Sequence, residues 1–271
     1  MTSSAIYASR FSLGRLFADF GRVLMRAGLP IVGSLVVFAV PLGIASTPWW
    51  RGGSDTPAAT YQRIWGEVNI AKALIVLMTY SASAVFVAAA SLTVLTAARW
   101  RDVFRPAPLA AGFATSLLLN LASNWPALVA PVAALLSAPI EQLRWVSLLT
   151  APITLAVMAF AGIAVSAAIA EQLLVARAIG RSARLLRGLR WRVVGLGFVY
   201  LVTLELGEIG MAWALAGVGV SFAGSGLGLA ALNLVGLAIG AGGDVAFVAF
   251  FVQARRIADG PTTQELHEVF A

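Results

Sequence analysis

Three carboxylates lie within stretches of the sequence that are otherwise almost entirely apolar. Glu205 and Glu208 are three residues apart, so they share one face of a helix, and Asp244 lies in the next apolar stretch. A carboxylate at the centre of a bilayer costs about 2.5–3.5 kcal/mol, so each one needs a partner, water or a proton. Asn120 and Asn124, four residues apart in an earlier stretch, are candidate hydrogen-bond partners.

These polar residues allow two interpretations. In the first they line a polar cavity, which would act as a proton relay or bind a cationic or polar headgroup. In the second the acids are protonated and only hold neighbouring helices together, or they lie nearer the membrane surface. The sequence leaves both interpretations open.

A second chemically distinctive stretch connects two long apolar segments between Ala170 and Tyr200. It holds six of the chain's nineteen Lys and Arg residues: Arg177, Arg181, Arg184, Arg187, Arg190 and Arg192. The first three recur at helical spacing and share one face, while Leu174, Ile179, Leu185 and Leu186 lie mostly away from it. An arginine face opposite an apolar face is typical of a helix at a membrane surface, where anionic lipid would bind the arginines.

The N-terminal region repeats this pattern. Apolar residues recur at helical spacing, and Arg15, Asp19, Arg22 and Arg26 form a second, charged stripe; the apolar residues are Leu13, Leu16, Phe17, Phe20 and Leu24. We therefore predict that residues 1–27 include an amphipathic helix on the cytoplasmic membrane surface, with Ser9 or Ser12 as its N-cap.

Composition and hydropathy predict the fold class. The chain is 60% hydrophobic and 11% charged, and several apolar runs exceed 18 residues, so we predict an all-α, polytopic membrane bundle. Residues 28–253 would form a six-span membrane domain, followed by a cytoplasmic tail at 254–271. The predicted spans are residues 28–47, 70–98, 107–137, 145–171, 192–219 and 227–252.

The distribution of basic residues predicts the orientation of these spans. If both termini are cytoplasmic, fifteen of the nineteen basic residues lie on the cytoplasmic side, and only Arg51, Arg63, Lys72 and Arg144 lie opposite. This agrees with the positive-inside rule and predicts a bacterial inner-membrane protein. The net charge of +7 is therefore attributed to topology and not to nucleic-acid binding.

The segment that begins at Glu171 resembles a known family. In the membrane domain associated with glycerophosphoryl diester phosphodiesterases, a Glu ends one span, a basic Ser-containing helix follows, and an Arg/Trp step starts the next. Glu171, Ser182, Arg184, Trp191 and Arg192 match that pattern. The resemblance implies a six-span fold and an accessory or regulatory role in the membrane.

The family's phosphodiesterase activity is not expected here. That activity belongs to a separate soluble barrel, for which this chain has no room. The single histidine, His267, lies in the polar tail beside Glu265 and Glu268, which is typical of a solvated helix face. The chain has no cysteine and no recognisable phosphate-loop, nucleophile-elbow or metalloprotease motif, so we predict no enzyme activity, cofactor or metal.

Two functional hypotheses follow. The first is a non-enzymatic, membrane-organising or accessory protein whose arginines engage anionic phospholipid or a membrane-protein partner. The alternative is a small proton-coupled transporter that uses the intramembrane carboxylates.

Overall fold

The computed structural model of the chain describes residues 11–46, 70–96, 98–135, 140–218 and 226–260, and these residues form helices and turns without a β-strand. Their helices are α1 (Leu13–Ser46), α2 (Ile70–Thr96), α3 (Trp100–Val103), α4 (Pro106–Leu135), α5 (Ile140–Ala161), α6 (Ala164–Ala170), α7 (Val175–Leu185), α8 (Arg190–Val218) and α9 (Gly226–Asp259).

Four stretches in the described part of the chain are long and apolar enough to cross a membrane. They are Leu13–Ala39, Ile75–Thr96, Ala151–Ala170 and Leu234–Asp259, and they correspond to predicted spans one, two, four and six. The prediction of an all-helical membrane protein is therefore confirmed at this level. The regions predicted as spans three and five are helical in α4 and α8.

The long helices pack side by side as a closed ring. Going around the ring, α1 packs against α9, α9 against α8, α8 against α5, α5 against α4, α4 against α2, and α2 against α1. Contacts between α2 and α9 cross the ring, and the short α6 packs between α2 and α4. Ala is the commonest residue in the described core, followed by Leu and Val, and these small alanines let the helices approach closely.

The first helix differs from the prediction of a surface helix followed by a separate span. In the structure α1 is continuous through Gly28 and Pro30. Its buried residues run along the whole helix at spacings of three, four or seven, namely Leu16, Val23, Ala27, Ile31, Leu35, Ala39 and Leu42. A single buried stripe of this kind favours one unbroken helix. The predicted N-cap at Ser12 is confirmed, since its Oγ accepts a hydrogen bond from the Arg15 amide at 3.3 Å.

The predicted fourth span is interrupted near its end. Helix α5 stops at Ala161, and α6 begins at Ala164 after a tight turn through Gly162 and Ile163. A Cβ at Gly162 would lie 2.7 Å from the Met158 carbonyl oxygen, so only glycine fits this turn without displacement.

Helix α6 ends in a turn that uses a left-handed backbone at Gln172, whose φ is 52°. The Leu173 amide donates to the Ala168 carbonyl at 3.1 Å, which is the hydrogen bond of a Schellman C-cap. This conformation is normally taken by glycine, and a residue with a Cβ costs about 1–2 kcal/mol there. The turn reverses the chain immediately after Glu171 and directs it into α7.

We expect Gln172→Gly to raise the free energy of unfolding by about 0.5–1 kcal/mol, because relief of the left-handed strain exceeds the added entropy of the unfolded chain. Gly188 is the matched position: its φ is 86°, and a Cβ there would meet open space. Gly188→Ala should therefore lower stability through the backbone alone. Thermal unfolding followed by circular dichroism tests both changes, and a stabilised Gly188→Ala protein would contradict this account.

Candidate functional site

Five parts of the chain meet at one end of the bundle, which we call the basic end: the start of α1, α3, the α6–α7 turn, the start of α8 and the end of α9. The Gln253 amide of α9 hydrogen-bonds the backbone of Ser12. The Phe11 ring lies 4.7 Å from the Phe250 ring and 5.0 Å from the Arg192 guanidinium carbon. The start of α1 therefore lies next to both the end of α9 and the first residues of α8.

The region of α3 is joined to the same end through α4. A Cβ at Gly112 would lie 2.7 Å from the Ile169 Cγ1 atom, so the first turns of α4 pack directly on the end of α6. Only glycine permits this close approach of the two helices. The described arginines of α3, of the α6–α8 segment and of the end of α9 thus come from distant parts of the sequence but lie at one end of the fold.

The centre of the basic end is an ion-pair cluster on Glu171. The Arg181 Nε atom donates to both Glu171 oxygens, at 3.0 and 3.2 Å, and its Nη2 atom donates to Glu171 and to Asp259. Arg255 approaches the same two acids at 3.6 and 3.8 Å. The cluster connects the α6–α7 turn, helix α7 and the end of α9, which are far apart in sequence.

The Glu171–Arg181 pair is only partly accessible, with 16% and 20% of the respective side chains exposed. Partial burial lowers the pKa of Arg181, but hydrogen bonds to Glu171 and Asp259 and their Coulombic attraction raise it by more, so the net pKa lies above its ordinary value. Arg181 therefore remains charged and committed to these acids. Glu171 is therefore the shared acidic partner of Arg181 and Arg255.

The other arginines of α7 face outward. The helix buries Ala178, Ser182 and Leu185, while Arg177 and Arg184 are exposed, as is Arg187 just beyond its end. Arg181 was predicted to share a lipid-binding face with Arg177 and Arg184, but its guanidinium is turned into the Glu171 cluster. The outward-facing basic surface of this segment therefore consists of Arg177, Arg184 and Arg187.

The start of α8 combines exposed arginines with an exposed tryptophan. Arg190 lies over the Phe160 ring at 4.5 Å, and Arg192 lies over Phe11. Between them, Trp191 is 86% exposed. Tryptophan is enriched at membrane–water interfaces because its ring is amphipathic, so this position is suited to the headgroup region.

The N-terminal half of α1 presents a similar surface. Arg15, Arg22 and Arg26 are exposed, and Phe17, on another side of the helix, is 71% exposed. Asp19 is 2% exposed and pairs with Arg22 at 3.1 Å. Within the described part of the chain, its second carboxylate oxygen is buried without a hydrogen-bond partner. The three arginines of the predicted charged stripe are therefore exposed, but Asp19 of the same stripe and Leu16 of the predicted apolar stripe are buried.

The intramembrane polar residues are only partly described. The side chains of Glu205, Glu208 and Asn124 lie outside the described part of the structure. Asn120 donates to the Ser81 hydroxyl at 3.0 Å, which connects α4 to α2.

Asp244 is half-buried on α9, next to a contact between α8 and α9. A Cβ at Gly243 would lie 2.6 Å from the Tyr200 ring, so glycine lets that ring pack against α9. Within the described residues Asp244 has no hydrogen-bond or ion-pair partner. The polar cavity predicted from Glu205, Glu208, Asp244, Asn120 and Asn124 therefore stays a prediction.

Sequence reasoning missed several residues of the basic end. The predicted boundaries place Asp259 in the polar tail and Gln253 at the last residue of the membrane domain. In the structure α9 continues to Asp259, and both side chains contact other segments. A usable signal was present in the sequence, because Gln253, Arg256 and Asp259 continue the helical spacing of α9.

Comparisons of the chain with protein-family models, with curated proteins and with solved structures found no match.

We expect Glu171→Gln to lower the free energy of unfolding by about 1–3 kcal/mol, since it removes charge-assisted hydrogen bonds and leaves two arginines close together. The measurement is reversible unfolding in mixed micelles, with Arg181→Gln and the double variant completing a cycle. Asp102→Asn is the control, because the exposed Asp102–Arg105 pair should contribute less than about 0.5 kcal/mol. Additive effects of Glu171→Gln and Arg181→Gln would contradict a coupled cluster.

Proposed function

We propose that this chain is a non-enzymatic, membrane-organising or accessory protein that binds anionic phospholipid at its basic end. The observation that carries the proposal is the unbalanced charge there. The described residues of the basic end include fourteen arginines and only four acids, which are Asp19, Asp102, Glu171 and Asp259. The arginines therefore exceed the acids by ten among these residues, and an anionic surface is the natural counter-charge.

The geometry of the unpaired arginines supports lipid over a soluble anion. Arg177, Arg184 and Arg187 are exposed in the segment that carries the exposed Leu174, and Arg190 and Arg192 flank the exposed Trp191. Arginine beside outward-facing apolar and aromatic side chains matches a membrane interface, where phosphate lies directly above the acyl chains. Each arginine near an anionic leaflet contributes on the order of 1 kcal/mol.

We further propose six spans in a bacterial inner membrane, with both termini and the basic end cytoplasmic. Helices α4 and α8 are the two additional spans. They contain 30 and 29 residues, and at 1.5 Å per residue such helices exceed a hydrocarbon core of about 30 Å. The contact between Gln253 and Ser12 supports an even number of spans, since it brings the start of the first and the end of the last together.

The resemblance of Glu171, Ser182, Arg184, Trp191 and Arg192 to the phosphodiesterase-associated membrane domain supports the same proposal. In that pattern the glutamate and the basic helix are neighbours, as Glu171 and Arg181 are here. We propose an accessory role on this basis. A membrane-protein partner with an acidic cytoplasmic face is the other occupant that these charges would suit.

The topology is testable because the chain has no cysteine. We expect single cysteines at Ser54 and Ser137 to react with a membrane-impermeant maleimide in intact spheroplasts. Cysteines at Ser3 and Thr263 should react only after the membrane is opened. Labelling of Ser3 and Thr263 from opposite sides would contradict an even number of spans.

Lipid binding is testable with a triple variant that spares the Glu171 cluster. We expect Arg177→Gln, Arg184→Gln and Arg187→Gln together to lower the preference for phosphatidylglycerol over phosphatidylcholine by tenfold or more, because up to roughly 1 kcal/mol is lost per arginine and about 1.4 kcal/mol corresponds to tenfold. The measurement is the fraction of motionally restricted spin-labelled lipid in proteoliposomes.

The matched control changes Arg51, Arg63 and Arg144 to Gln. It removes the same amount of charge, but from the membrane side proposed to lie opposite the basic end. This control should retain the preference within about twofold. An unchanged preference in the first variant, or an equal loss in both, would overturn the proposal. Loss of a co-purified membrane protein with unchanged lipid preference would assign the surface to a partner instead.

A further inference from the structure

An apolar cleft lies beside the α3 arginines. It has a volume of about 390 Å³ and is formed by α1, α2, the residue after α3 and the start of α4. Four phenylalanines line it, together with smaller apolar residues: Phe38, Phe86, Phe104, Phe113, Ala82, Val85, Leu109 and Ala110. Ala110 is exposed, so the cleft opens to the outside of the bundle. We call it the phenylalanine cleft.

The lining determines which occupant is favourable. Every lining side chain is apolar, and water in such a space would lack the two to four polar partners that it needs. In a bilayer the surrounding medium is acyl chains, and a cleft of a few hundred cubic ångströms is within the range of ligand sites. A hydrocarbon chain therefore fits the cleft better than a polar ligand does.

The wall of the cleft leads directly to a basic cluster. Phe104 packs edge-on against Phe86 with ring centroids 5.6 Å apart, and its other neighbour is Trp100, stacked at 4.8 Å. Trp100 lies between Arg99 and Arg101, which are both exposed. Arg105 is bound to Asp102 at 2.7 Å, so Arg99 and Arg101 are the charges without an acidic partner among the described residues.

We propose that the phenylalanine cleft holds one acyl chain of an anionic membrane phospholipid whose phosphate binds Arg99 and Arg101. The Phe104 ring has the apolar cleft on one side and Trp100, with Arg99 and Arg101, on the other. The acyl chain and the phosphate of one phospholipid could therefore be bound next to each other. The inference rests on the proposed affinity for anionic lipid but places one specific lipid at a site separate from Arg177, Arg184 and Arg187.

The experiment uses the full chain, purified in mild detergent and stripped of lipid. Native mass spectrometry then measures binding of phosphatidylglycerol and of phosphatidylcholine with identical acyl chains. We expect one tightly bound phosphatidylglycerol, favoured over phosphatidylcholine by about tenfold, because the two arginines add their attraction to the chain's burial.

Three variants separate the two halves of the site. Ala110→Phe fills the cleft and should lower the affinity for both lipids by about tenfold. Arg99→Gln with Arg101→Gln should remove the preference for phosphatidylglycerol while chain binding persists. Ala151→Phe, an equal change at an exposed position on α5 outside the cleft, should leave binding unchanged. Ala82→Phe fills the cleft from α2 and serves if Ala110→Phe unfolds.

Several outcomes would overturn the inference. Unchanged binding in a folded cleft-filling variant would show that the chain lies elsewhere, and an equal loss in Ala151→Phe would show non-specific adsorption. An uncharged diacylglycerol with the same acyl chains, bound as tightly as phosphatidylglycerol, would remove the role of the phosphate. Failure of the proposed function gives a different result. In that case the Arg177, Arg184 and Arg187 variant would keep its preference for phosphatidylglycerol among the boundary lipids. Binding of the single tight lipid depends only on the cleft and on Arg99 and Arg101.

Discussion

The Glu171 carboxylate determines how the basic end is assembled. It lies after the last residue of a membrane-spanning stretch, where burial of an unpaired charge is costly, and it is stabilised by Arg181 and Arg255. To reach Arg181, the chain must reverse sharply, and it does so through the left-handed turn at Gln172. The ion pairs therefore offset the strain of the turn. They also fasten the arginine-rich segment to the end of α9, so that its remaining arginines point away from the bundle.

This arrangement divides the arginines into two groups with different roles. Arg181, Arg255, Arg22 and Arg105 each have an acidic partner, and they fix segments relative to one another. Arg177, Arg190 and Arg192 have no acidic partner among the described residues, and exposed Leu174 and Trp191 lie in the same segment. A charge that served only to set topology would not need a neighbouring Trp191 on the outer surface. This proximity is the physical reason to propose lipid as the partner of the second group.

Much of the fold could be predicted from hydropathy and charge. Apolar runs identified the helices because a bilayer requires every backbone N–H and C=O group to be hydrogen-bonded within the segment. The distribution of basic residues identified the segments that lie at one end of the bundle. The N-cap at Ser12 followed from local chemistry. The continuity of α1 did not, because Gly28 and Pro30 indicate a break when read locally, whereas the buried stripe from Leu16 to Leu42 depends on α2 and α9.

The candidate site was harder to predict for the same reason. Helical periodicity places Arg177, Arg181 and Arg184 on one face, but only the tertiary position of Asp259 and Glu171 decides which of them turns inward. The phenylalanine cleft left no local signal, since its four aromatic rings come from three helices and one turn that are separated by up to 75 residues. Phe104 lines the cleft and also stacks on Trp100, which lies between Arg99 and Arg101. Sequence pattern thus identifies which residues can meet a membrane, whereas packing decides which of them remain available to a lipid.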